Sequence, residues 1–94
     1  MGTNVAHKFQ YTPGAEKVSL DANKAVLQPG DLLESNLHVI LVIGVDEGAK
    51  QYICAESSRV FEGLVFSRRS FNEATYWGVK MDGYYNNSAN VRSQ

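Results

Sequence analysis

Apolar positions along this chain come in short runs separated by glycine, proline and polar turns. The strongest run is Val39-Ile40-Leu41-Val42-Ile43, entered by His38 and ended by Gly44. It is mostly β-branched and offers no polar face to water, which predicts a strand buried on both faces. The polar segment Asp46-Glu47-Gly48-Ala49-Lys50 follows, with Gly48 suited to a positive φ, and the apolar pattern resumes in Gln51-Tyr52-Ile53-Cys54-Ala55. Together the two runs predict an antiparallel hairpin at the centre of a sheet. With the loop centred near Gly48, Val42 falls opposite Cys54 and His38 falls near Ser58, which keeps His38 and Cys54 roughly 13 Å apart along the strand.

Upstream of the hairpin, Pro29-Gly30-Asp31 reads as a turn. Proline fixes φ, glycine permits a tight reversal and aspartate accepts backbone N–H groups, so Leu32-Leu33 is launched as a short strand beside the hairpin. Earlier still, Val5, His7, Phe9 and Tyr11 alternate weakly, which predicts a short strand or an arm that Pro13-Gly14 ends. Ala15 to Val26 mixes charge and apolar residues without a helical period and reads as a loop holding at most one helical turn. Beyond the hairpin, Ser57-Ser58 reads as a turn and Val60 to Phe66 as a further strand, with Gly63 as a bulge or close contact. Ser70 and Glu73 have the spacing of a capping box for a single helical turn, and Tyr76 to Met81 reads as the last strand. From Asp82 the apolar pattern lapses, and a tail over residues 86–94 is expected to fray. The expected architecture is an α+β chain, predominantly antiparallel β, with a curved sheet or half-barrel of roughly four to six strands and little helix. It forms a single domain over residues 1–94, with residues 1–17 as an N-terminal arm.

Composition narrows the function classes. A chain of 94 residues holds one core, and 44% hydrophobic with 20% charged residues is ordinary for a globular domain. The net charge of −1 supplies no basic stripe for phosphates, so nucleic acid is not an expected partner, and Arg68-Arg69 reads as a solvated turn. A single cysteine, Cys54, excludes an internal disulfide, and neither metal-ligand spacing nor a cofactor motif is present. No stretch approaches the ~20 apolar residues of a membrane span, and the first residues lack the apolar core of a signal peptide, so no membrane partner is expected.

The series Leu27-Gln28-Pro29-Gly30-Asp31-Leu32-Leu33, then His38-Val39 with Gly44, then Tyr52-Ile53-Cys54-Ala55, resembles the second half of an NlpC/P60-type papain-like cysteine peptidase or amidase. The match runs from Val18 to Glu56, with a looser fit through Tyr85. The resemblance implies that His38 holds the position of the general base and Cys54 that of the polar residue orienting it. It also implies a bacterial cell-envelope or secreted protein acting on peptidoglycan-type peptides, and a chain that forms the C-terminal part of a larger papain-like domain. The family's nucleophile, a cysteine opening a helix ahead of the Pro-Gly-Asp turn, has no counterpart in the first 30 residues. On this reading the thiolate comes from elsewhere, the isolated chain is inactive, and a homo-oligomer or a missing helical half covers the sheet face left open.

Each candidate also has a plainer role. His38 suits a general base because imidazole titrates near neutral pH and presents two distinct nitrogens, yet a strand-end histidine is commonly structural. Cys54 in an apolar strand is expected to behave as a small buried hydrophobe. Glu56, on the same face as Cys54, is the alternative orienter of His38, against a solvated strand-end carboxylate. Asp31 is expected to serve the turn, and His7 the surface or packing. Trp77, Tyr84 and Tyr85 are candidates for a groove or for core and rim packing, and Asn86-Asn87-Ser88 fits a glycosylation pattern. A second function class stays open beside the hydrolase: a non-catalytic β-domain that binds a peptide, a glycan or a partner subunit.

Overall fold

Pairing between the two strongest apolar runs sets the frame. In a computed structural model that describes residues 9–58, 60 and 62–86, Val39–Asp46 forms strand β3 and Gln51–Ser58 forms β4. Leu41 stands opposite Ala55 and Val42 opposite Cys54, the register that the loop spacing predicts. Ile43 is then an extra residue on β3. It makes a bulge, after which Gly44 faces Ile53 and Asp46 faces Gln51. The loop is closed by the Ala49 N–H donating to Asp46 Oδ1 at 3.1 Å and the Lys50 N–H donating to the Glu47 carbonyl at 3.3 Å. The positive φ expected at Gly48 belongs instead to Lys50, at 55°, the residue through which the loop rejoins β4.

Gln28 to Asp31 forms a type II turn. Gly30 takes a φ of 100°, and the Asp31 N–H donates to the Gln28 carbonyl at 3.0 Å. Asp31 does more than serve this turn. Its carboxylate is buried and accepts from Gln28 N at 2.9 Å and from Met81 N at 2.8 Å, with Lys80 Nζ at 3.6 Å. It therefore ties the turn to the far end of the chain. Leu32–Glu34 is β2, paired antiparallel with β3 on one side and with β6 (Trp77–Lys80) on the other.

Three segments depart from the sequence reading. Glu16–Val18, expected as loop, is strand β1 against β6, with Lys17 Nζ 4.5 Å above the Trp77 ring; so short an edge strand shows no period of its own. Ser57 and Ser58, expected as a turn, continue β4 as far as Ser58 opposite Gly63. The next strand, β5, starts at Gly63 and runs to Ser70, so Arg68 and Arg69 lie within a strand rather than in a solvated turn. Val5 and His7 lie outside the described residues, as does the tail beyond Asn86.

The helical signals behave similarly. At the capping-box spacing the Ser70 N–H donates to Glu73 Oε1 at 3.0 Å and the Asn72 N–H to Ser70 Oγ at 3.1 Å, but a turn results and no helix. Thr75 takes a φ of 69°, incompatible with a continuing right-handed helix. Asp82–Tyr85, where the apolar pattern lapses, forms one helical turn, α1. Gly14, at a φ of 91°, packs backbone to backbone on Gly83 more closely than any side chain would permit.

The described residues thus form an open, six-stranded antiparallel sheet in the order β1-β6-β2-β3-β4-β5, with helix confined to α1 and a 3₁₀ turn at Phe9–Tyr11. One face carries the main core, in which Leu33, Ile40, Val42, Tyr52 and Cys54 meet Leu27 and Phe71. The other carries a smaller cluster of Leu32, Val79 and Met81 with Phe9, Val39 and Trp77. That second cover stops short of β5, so the expectation that β3 is buried on both faces fails in part. Leu41 is 39% and Ile43 41% exposed, beside Leu64 at 64% and Phe66 at 68% on β5.

Tyr52 locks the loop before the Pro-Gly turn onto the core. Its ring is fully buried against Phe71, 4.9 Å away, and its hydroxyl accepts from the N–H groups of Val26 at 2.9 Å and Leu27 at 3.1 Å. Tyr52→Phe keeps the ring and orphans both donors. It is expected to lower stability by about 2 kcal/mol, read as an earlier urea midpoint at unchanged slope.

Candidate functional site

Polar chemistry concentrates where β3 begins. Ser35 Oγ accepts from the N–H groups of Leu37 at 3.2 Å and His38 at 3.1 Å, while the Ser35 N–H donates to the His38 carbonyl at 2.8 Å. This tight connection between β2 and β3 fixes His38 at the mouth of the strand. Strand alternation puts Tyr52, Cys54 and Glu56 on one face of β4, and the register of β5 sets Arg69 opposite Tyr52 and Ser67 opposite Cys54 on that same face.

These side chains converge on Glu56. His38 Nε2 lies 2.6 Å from Glu56 Oε1, Ser67 Oγ donates to Oε2 at 2.9 Å, and Arg69 Nη2 donates to Oε2 at 2.8 Å. Arg69 also reaches Glu73, Nη1 to Oε2 at 3.5 Å, and its guanidinium sits 5.7 Å from the centre of the Tyr76 ring. The Glu56 side chain is 11% exposed and that of His38 36%, so the solvated strand-end carboxylate is not what the chain builds. Burial works to raise the Glu56 pKa. The hydrogen bonds from Arg69, His38 and Ser67 outweigh it and hold the carboxyl down at about 2. The same hydrogen bond to Glu56 raises the pKa of Arg69.

Cys54 is fully buried opposite Val42, well along the strand from His38. Burial pushes its thiol up to about 11, so almost none is thiolate near neutral pH and the sulfur packs as an apolar group. The residue bonded to His38 is therefore Glu56, not Cys54, because the core register spends Cys54 on Val42. Asp31 is engaged in the turn and at Met81. Trp77 Nε1 donates to Glu34 Oε1 at 3.1 Å and Tyr85 Oη donates to the Gly30 carbonyl at 2.9 Å; neither ring, nor that of Tyr84, lines the cleft beside His38.

That cleft has a volume of about 360 Å³ and is bounded by His38, Glu56 and Ser57 with the apolar side chains of Phe9, Leu32, Val39, Leu41, Ala55 and Leu64. Among the described residues no group of three histidine, cysteine, aspartate or glutamate side chains is placed to hold a metal ion, and no helix is long and apolar enough to cross a membrane. Chemically, an ionised carboxylate beside Nε2 makes that nitrogen the donor and leaves Nδ1 as the nitrogen able to accept a proton. Sequence reasoning missed Ser67 and Arg69. Their i, i+2 spacing would have exposed them only once residues 67–70 were placed in a strand. No family model matches the chain, and no curated protein or solved structure does either.

Two measurements check this electrostatic picture. A carboxyl whose folded pKa is about 2 and whose ordinary value is 4.5 contributes stability that is present above 4.5 and is lost as pH falls through about 2. The depression corresponds to something on the order of 3 kcal/mol. Glu56→Gln is expected to lower stability at pH 7 and to flatten the acid limb between those two values; an acid limb identical to that of the wild type contradicts the assignment. Cys54 is expected to stay unreactive toward a thiol reagent at pH 8 in the folded chain and to react promptly in urea.

Proposed function

We propose that this chain is the sheet half of a papain-like thiol amidase or peptidase and carries its base and orienting residues. The observation behind this reading is the 2.6 Å contact between His38 Nε2 and Glu56 Oε1. The half-exposed imidazole and deeply held carboxylate are what a general base and its orienter require. The resemblance of Leu27 to Ala55 to the NlpC/P60 pattern supports the same reading, including a curved half-barrel as the family's version of this sheet, with Glu56 taking the role that the resemblance gave to Cys54. The substrate class is an amide in a peptidoglycan-type peptide.

In this mechanism His38 Nδ1 removes the proton from a cysteine thiol carried by a segment other than the residues described. The thiolate attacks the amide carbon, and the tetrahedral intermediate collapses as the departing amine takes the proton back from Nδ1. Water then enters by the same route and hydrolyses the thioester, releasing the acid and restoring the thiol. Glu56 holds the ring throughout and stabilises the imidazolium formed in each half-reaction. Arg69 and Ser67 keep that carboxylate ionised and oriented. The proposed Cys54 role is packing alone.

A second reading, a non-catalytic β-domain that binds a peptide, a glycan or a partner subunit, draws its support from the exposed apolar residues Leu41, Ile43, Leu64 and Phe66. Reconstitution separates the two. The chain alone is expected to release no amine from a muropeptide amide, whereas the chain fused behind a cysteine-led helix of the NlpC/P60 type is expected to do so and to be blocked by a thiol reagent. In that fusion His38→Ala is expected to cost about 100-fold or more in kcat, and Cys54→Ala little. Turnover indifferent to His38 contradicts the hydrolase reading, as does thiol-sensitive turnover by the isolated chain.

A further inference from the structure

The outer side of β5 (Gly63–Ser70) is an edge of the sheet with no partner strand among the described residues. Edges are ordinarily blunted by shortness, proline or bulges. This one is eight residues long, contains no proline and pairs with β4 without a shift of register. The opposite edge, β1, is three residues long and begins with the exposed charges Glu16 and Lys17. On one face β5 presents Leu64 and Phe66, the most exposed apolar residues of any strand in the sheet at 64% and 68%. Charge flanks that row: Glu62 stands just before the strand in a left-handed turn, at a φ of 51°, and Arg68 lies near the strand's end with its side chain 52% exposed.

We propose that this edge pairs with the same edge of a second copy of the chain, antiparallel, about a two-fold axis through Val65. In that register Leu64 lies beside Phe66 of the second copy and Phe66 beside its Leu64. Glu62 comes within reach of Arg68 of the second copy, and the contact is repeated by symmetry. An axis through Phe66 would set Leu64 against Arg68, and one through Leu64 would set Phe66 against Glu62, so only the axis through Val65 matches both the apolar and the charged positions. Arg68 already donates to Asp46 Oδ2 at 2.8 Å through Nη1, and its other guanidinium N–H groups remain for Glu62. The interface is isologous and closes on itself, joining two six-stranded sheets into one.

Sedimentation equilibrium over a wide concentration range tests this in the full chain. The expected result is a reversible monomer–dimer equilibrium with nothing larger. Glu62→Lys and Arg68→Glu are each expected to weaken it about tenfold, since both symmetry-related pairs are lost together. The double charge reversal is expected to regain wild-type association, and Phe66→Lys to give a monomer. All three substituted positions are exposed, and thermal unfolding of each variant checks that the fold is retained. A wild-type chain that stays monomeric at every concentration overturns the proposal. So does open-ended growth, or a double reversal that is as weak as either single variant.

Discussion

A carboxylate withdrawn from water must be given its hydrogen bonds back, and Glu56 obtains them from His38, at the mouth of β3, and from Ser67 and Arg69 on β5. That requirement couples three strands. A slip of one residue between β4 and β5 would turn Ser67 and Arg69 to the opposite face and leave the carboxylate without donors. A slip of one residue between β3 and β4 would in turn withdraw Tyr52 and Cys54 from the core. Apolar and polar demands therefore select one register, with Val42 against Cys54 and Cys54 against Ser67.

Asp31 and Glu56, both largely withdrawn from water, do different work. Asp31 accepts from Gln28 N and Met81 N, which joins the Pro-Gly turn to the far end of the chain. Every one of its contacts is architectural. Glu56 is fixed just as firmly by Arg69 and Ser67, but its remaining oxygen faces a histidine whose side chain is 36% exposed beside an open cleft. A purely structural ion pair has no need of an imidazole left open to solvent, and that asymmetry gives the site its chemical interest.

The central hairpin, its register and the Pro-Gly-Asp turn were legible because each follows from local rules: a β-branched run, a loop centre, and a proline–glycine pair. The edge strand Glu16–Val18 was not legible, since it is defined by its pairing with β6 and not by any pattern in its own residues. Placing Arg68 and Arg69 in a turn hid the site. Charges that alternate faces within a strand look like a solvated turn until the strand's end is known. Leu41 and Ile43 show the converse, because an unbroken apolar run reports what could be buried while the cover over the second face stops before β5. Glu56 was legible as an alternative and Cys54 as the residue implied by the resemblance; the two differ by the one step that the core register decides.

Everything assigned to His38 depends on which of its nitrogens carries the proton when the ring is neutral. Nitrogen-15 spectra of the histidine-labelled chain, with His7→Gln used to identify the His38 signals, report this directly. The account predicts the Nε2–H tautomer, with the proton directed at Glu56 and Nδ1 bare. A neutral His38 that carries its proton on Nδ1, with Nε2 bare, would contradict it, because Glu56 would then hold no proton-donating partner there and the ring would present no base.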